Sequence, residues 1–148
     1  MRRFDFRLEQ VRRWRELQRD QEEARLQELL AEFRRLETAG DDLAHAAALA
    51  EQSVRPTPDA PLGPMQELQA LDSYRAHVRR EFMRLANLRS RLDARINTQR
   101  RALLEAERKL EVLDTLRQER LAEWKKELDK EQEELVAELV VARWAQAG

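Results

Sequence analysis

All four prolines of this 148-residue chain fall between Pro56 and Pro64. Proline has no amide hydrogen to give a helix, and it pushes the residue before it out of the α region. The stretch Arg55-Pro56-Thr57-Pro58-Asp59-Ala60-Pro61-Leu62-Gly63-Pro64 therefore reads as a linker. The sequence predicts one helix over about residues 4–53 and a second over about 65–146, in a single coiled-coil domain spanning 1–148. At 1.5 Å per residue the second helix would be on the order of 120 Å long, too long to fold against a compact core.

Composition points the same way. Ala, Glu, Lys, Leu and Arg supply 91 residues, a larger share than the roughly one half that marks coiled coils and long helices. Val, Ile and Thr number only 12, too few for a sheet. An all-α class follows, and α/β and all-β folds are excluded.

Apolar spacing supplies the pairing faces. Leu29, Phe33, Leu36, Gly40, Leu43, Ala47, Ala50 and Val54 alternate steps of four and three. After the linker, Leu71, Arg75, Val78, Phe82, Leu85, Arg89, Leu92, Ile96, Gln99, Leu103, Ala106, Leu110 and Leu113 do the same. This is a heptad seam with polar interruptions at Arg75, Arg89 and Gln99. These three either specify register or snorkel out of a loose seam. Beyond Leu113 the apolar residues resume at Leu121, Trp124, Leu128, Leu135 and Leu139. The offset of one residue reads as a stutter. Near the start, Leu8, Val11, Trp14 and Leu17 run in threes, so the register there is less defined. Gly40 lies on the seam in mid-helix. It marks either close approach of a large side chain to a continuous helix or a kink costing about 1 kcal/mol relative to Ala.

Charge predicts how the helices pair. Residues 75–101 carry nine Arg and two acids, and residues 19–45 carry eight acids and four Arg. Residues 1–15 carry six Arg and two acids, against five acids and three bases over 105–119. Both blocks face opposite charge in an antiparallel hairpin whose paired residue numbers sum to about 120. Each exposed pair contributes only a few tenths of a kcal/mol, but together they bias orientation. In that register residue 4 pairs near 116, and everything beyond about 117 has no partner in its own chain. This overhanging end keeps an apolar stripe, Leu121, Trp124, Leu128, Leu135 and Leu139, with Trp144 near its tip. An amphipathic helix gets its stability from packing that stripe, so the end needs a partner, whether another protein or a second copy.

The opening Phe4-Asp5-Phe6-Arg7-Leu8-Glu9-Gln10-Val11 resembles the start of FliJ-type flagellar export proteins. Leu71-Asp72-Ser73-Tyr74-Arg75 is similar to that family's segment after the turn. The stretch Leu113-Asp114-Thr115-Leu116-Arg117-Gln118-Glu119-Arg120 with Trp124, Glu131-Gln132 and Ala142-Arg143 is similar to its charged C-terminal part. The resemblance implies an antiparallel two-helix stalk and chaperone of a flagellar type III export apparatus. Its helix ends would enter the hexameric export ATPase and link it to the membrane export-gate protein, and it would handle export chaperones. The segment Tyr74-Arg75-Ala76-His77-Val78-Arg79-Arg80-Glu81 is more basic than apolar, so no gate-contact residues are assigned. Alternative readings are a structural coiled-coil tether or homodimer, and the equivalent stalk of a virulence type III secretion system.

Candidate partner-binding residues are Phe4, Phe6, Trp14, Leu121, Trp124, Leu128, Leu135 and Leu139. Aromatic anchors dominate many interfaces. Phe4, Phe6 and Trp14 alternatively staple the N-terminus to the second helix near residues 110–116. No catalytic constellation is expected: the chain has no Gly-rich phosphate loop and no H-E-x-x-H segment. It has no cysteine, and its two histidines, His45 and His77, come with no carboxylate–histidine motif to complete the three or four ligands a metal site needs. No cofactor, metal or nucleic-acid partner is expected. The net charge of −1 and the lack of aromatics within the Arg-rich run, apart from Phe82, argue against nucleic acid. No apolar run is long enough to insert in a bilayer, and Met1-Arg2-Arg3-Phe4-Asp5-Phe6-Arg7 lacks the apolar core of a signal peptide. A cytoplasmic location is expected, and the resemblance implies a place peripheral to the inner-membrane export apparatus.

Overall fold

A computed structural model describes residues 2–53 and 63–147. They form two helices and no strand: α1, Glu9–Ser53, and α2, Pro64–Ala147. The fold is an all-α two-helix hairpin whose second helix is the longer. Most of the expected linker, residues 55–62, lies outside the described residues, as does Val54 of the seam. Gly63 and Pro64 begin the second helix. Gly63 has φ 82°, a backbone conformation that glycine adopts without steric cost. Its carbonyl accepts the amide of Glu67 at 3.2 Å. Pro64 opens the helix, where its missing donor costs nothing.

Packing divides the chain into two units, Met1–Gln21 with Leu103–Gly148, and Glu22–Ala102. In Glu22–Ala102 the buried side chains are Leu26 and Leu29 of α1 and Leu71, Val78, Leu92 and Ile96 of α2. Apart from Leu26, one heptad step before Leu29, all of these are seam positions. The polar seam residues all reach across to α1. Gln99 donates to the main-chain oxygen of Glu22 at 2.9 Å and also to its carboxylate. Arg75 donates to Glu51 at 2.8 Å. Arg89 stands 3.7 Å from Glu37, its guanidinium 5.1 Å from the Phe33 ring centroid. These pairings have residue sums of 121 to 126, so α1 sits up to six residues beyond the expected register. Gly40 lies inside the unbroken α1, and a Cβ built there meets nothing within 4 Å. The helix is continuous there, as one of the two expectations had it, but without the close approach of a large side chain.

In the other unit, Phe6 and Leu110 are buried. Arg12 to Asp114 at 3.4 Å and Arg117 to Glu9 at 3.4 Å again sum to 126. Helix α1 starts five residues later than expected, because residues 2–8 are not helical. Their side chains follow a period of two: Phe4 is half-buried and Phe6 buried, while Asp5 and Arg7 are exposed. That alternation belongs to non-helical chain, which advances up to about 3.3 Å per residue against 1.5 Å in a helix. Phe4 therefore reaches Trp124, and Arg2 reaches Glu131 at 2.9 Å.

Candidate interaction surface at the end of the second helix

The surface is built within the unit Met1–Gln21 with Leu103–Gly148. Its α2 part passes through the stutter: Leu110 is buried, and Leu113, Arg117, Leu121, Trp124 and Leu128 are half-buried in steps of three and four. The N-terminal segment lies along these residues. The Phe4 and Trp124 rings are 6.0 Å apart and tilted by 55°. A groove of about 780 Å³ between segment and helix is lined by Phe4, Phe6, Leu116, Arg120, Trp124 and Glu127, among others.

A charge cluster fixes the junction of segment and helix. Arg12 donates to both Glu9 carboxylate oxygens at 2.9–3.3 Å. Arg117 Nε is buried without a hydrogen-bond partner, 3.4 Å from Glu9 Oε2. Its guanidinium lies 5.8 Å from the Phe4 ring centroid. The Arg12 hydrogen bonds, helped by the charges of Arg12, Arg117 and Arg13, hold the Glu9 carboxyl below the usual carboxylate range.

The eight candidate residues separate into three groups. Phe4, Phe6 and Trp124 come together around one groove, and Leu121 and Leu128 are half-buried one step to either side of Trp124. The expectation that α2 is bare from about residue 117 is therefore corrected: half-buried positions continue to Leu128, and Arg2 reaches Glu131 in an exposed ion pair, because non-helical chain spans more of α2 per residue than helix would. Trp14 joins nothing on α2 in this way. It is 51% exposed, with the Arg15 guanidinium 4.7 Å from its ring centroid. The positions of α1 that take this place in the heptad spacing are instead Arg12, Arg15 and Arg19, all half-buried. Leu135 and Leu139 stand free, 59% and 61% exposed. Every residue from 129 to 147 is exposed. Val136, Val140 and Val141 add to this apolar surface. They flank the Leu135–Leu139 spacing rather than sharing it, so the heptad pattern passes over them.

His45 and His77 are exposed. Glu81, near His77 on the same helix, has its carboxyl held low by a hydrogen bond from Arg84 and by that guanidinium's charge. Among the described residues no three His, Asp or Glu side chains are placed to share a metal ion. No helix among them is long and apolar enough to cross a membrane. No protein-family model matches the sequence, and no curated protein or solved structure is significantly similar to it.

Proposed function

We propose that this chain is a FliJ-like stalk of a flagellar type III export apparatus, acting by binding and without chemistry of its own. In this reading the free end of α2 enters the pore of the hexameric export ATPase and biases its cycle. The rest of the chain connects that ATPase to the export-gate protein at the cytoplasmic face of the inner membrane and meets export chaperones. One observation carries the reading. Among the described residues helix α2 outruns the cover of the rest of the chain and ends in an exposed apolar surface that includes Leu135, Leu139 and Trp144. A helix end of this kind suits a ring lumen, where the ring encloses the stripe from all sides. The resemblance of the opening Phe4–Val11 segment to the family supports the same assignment.

The test is enzymatic but the enzyme is the partner. Saturating amounts of this protein should raise the hydrolysis rate of the purified export ATPase. Leu135→Ala with Leu139→Ala and Trp144→Ala should remove most of that gain. An unchanged hydrolysis rate with the unaltered chain rejects the proposal.

A further inference from the structure

The unit Glu22–Ala102 carries a groove of about 570 Å³ between its two helices. Its floor includes Leu36 of α1 and Leu85 and Leu88 of α2, and its rim includes Arg35, Arg91 and Arg95. Arg84, Leu88, Arg91 and Arg95 recur at four, three and four, so one edge of the groove is a single line of α2. Arg84 is paired with Glu81 at 2.9 Å. Arg35, Arg91 and Arg95 have no carboxylate within ion-pair distance among the described residues. The lining holds one acid, Glu32. An apolar floor beside uncommitted guanidinium groups fits an amphipathic helix that carries acids next to its apolar stripe.

This chain contains such a helix without cover. Leu135 and Leu139 are one turn apart, and Val136 and Val140 lie beside them, all exposed. Glu131, Glu133, Glu134 and Glu138 surround them, against two bases, Lys130 and Arg143, and of these acids Glu131 is paired with Arg2. Glu133, Glu134 and Glu138 have no ion-pair partner among the described residues. Pairing two such ends with each other would set acid against acid, so the complementary surface is the basic groove. The groove also gains from a third helix. Two helices leave no described side chain below 2% exposure, whereas a third would cover Leu85 and Leu88 from their open side.

We infer that the acidic apolar end of α2 in one copy of this chain docks in the Arg-rimmed groove of a second copy. The inference does not rest on the export reading, since both surfaces belong to this chain.

The chain has no cysteine, so labelled pairs are clean. Leu139→Cys protein mixed with Leu88→Cys protein and oxidised should give mainly the mixed-chain disulfide. Leu139→Cys mixed with Ala48→Cys, an exposed position elsewhere on the unit, should give little. Sedimentation of the unaltered chain from about 5 to about 500 µM should show a dimer whose dissociation constant rises at least about tenfold between about 0.05 M and 0.5 M salt. Arg91→Glu with Arg95→Glu should leave a monomer, and mixing it with Glu134→Lys, Glu138→Lys protein should restore association. Four results would each overturn the inference: a monomer at every concentration, a dimer indifferent to the Arg91 and Arg95 changes, failure of the charge-swapped mixture to associate, or Leu139→Cys chains linking chiefly to each other.

Discussion

Phe4 and Trp124 are 120 positions apart in the sequence, yet their rings meet with centroids 6.0 Å apart. The contact exists because the first residues leave the helical path and lie along α2. Removing it should free the segment locally rather than unfold the chain. In protein whose other tryptophans are replaced (Trp14→Phe, Trp144→Phe), Phe4→Ala with Phe6→Ala should shift Trp124 emission to the red. Phe6 is buried, so its loss should cost up to about 3 kcal/mol, at the low end of core Phe→Ala changes because the site lies at an edge. Unchanged emission would mean that the segment does not cover Trp124 in solution.

How much of this was legible depends on which signal each element used. The seam from Leu71 to Leu113 could be read because steps of three and four return to one face of a helix. Leu71, Val78, Leu92, Ile96 and Leu110 are indeed the buried residues of α2. The Val11, Trp14, Leu17 series misleads, since each step of three falls about 60° short of a full turn and winds away from the partner. Spacing alone would have placed Arg12, Arg15 and Arg19 inward. The two-residue alternation of Phe4 and Phe6 was also visible, but it is too short to outweigh a helical context. The register had no local signal: exposed charge pairs are individually weak, and shifting them by six residues, about 9 Å of helix, leaves the blocks of opposite charge still facing. The free surface past Glu131 was half legible. Leu135 and Leu139 continue the spacing, whereas the valines follow no seam.

Gly40 offers a direct gain in stability. It sits in mid-helix, where glycine costs about 1 kcal/mol relative to Ala, and its Cβ position is open. Gly40→Ala should stabilise the chain by up to about 1 kcal/mol and raise the melting temperature by about 2–4 °C. A lower melting temperature would show that α1 is not a regular helix at this point. The contrasting change is Gly63→Ala. It forces a side chain onto φ 82° and should destabilise.

Glu9 makes stability depend on acid. Arg12, and behind it Arg117 and Arg13, hold its carboxyl below the ordinary range. A carboxylate with a depressed folded pKa contributes its full stabilisation above the unfolded value, near 4.3. That contribution is lost as pH falls through the folded pKa. The melting temperature of the unaltered chain should therefore drop between about pH 5 and pH 3. Glu9→Gln protein should melt lower at neutral pH and fall less steeply on acidification. Parallel curves for the two proteins would show that Glu9 titrates alike in folded and unfolded chains.

Ile96 and Leu139 are comparable aliphatic side chains on the same helix with opposite surroundings. Ile96 is 3% exposed against α1, and Leu139 is 61% exposed. Truncating the first removes packed atoms from a two-helix layer that has little to refill the gap, so Ile96→Ala should cost about 2–4 kcal/mol. Truncating the second removes nothing the dilute monomer uses, so Leu139→Ala should stay within about 0.5 kcal/mol. The order should reverse for partner binding. Leu139→Ala should weaken whatever association the free end makes, while Ile96→Ala protein that remains folded at low temperature should keep it. Denaturant melts read the first half of this prediction, and sedimentation of the unaltered and altered chains, or the response of the proposed ATPase partner, reads the second. A large loss of stability from Leu139→Ala in dilute protein would mean that its own molecule already covers the end of α2, leaving no free surface for a ring or a second copy to bind.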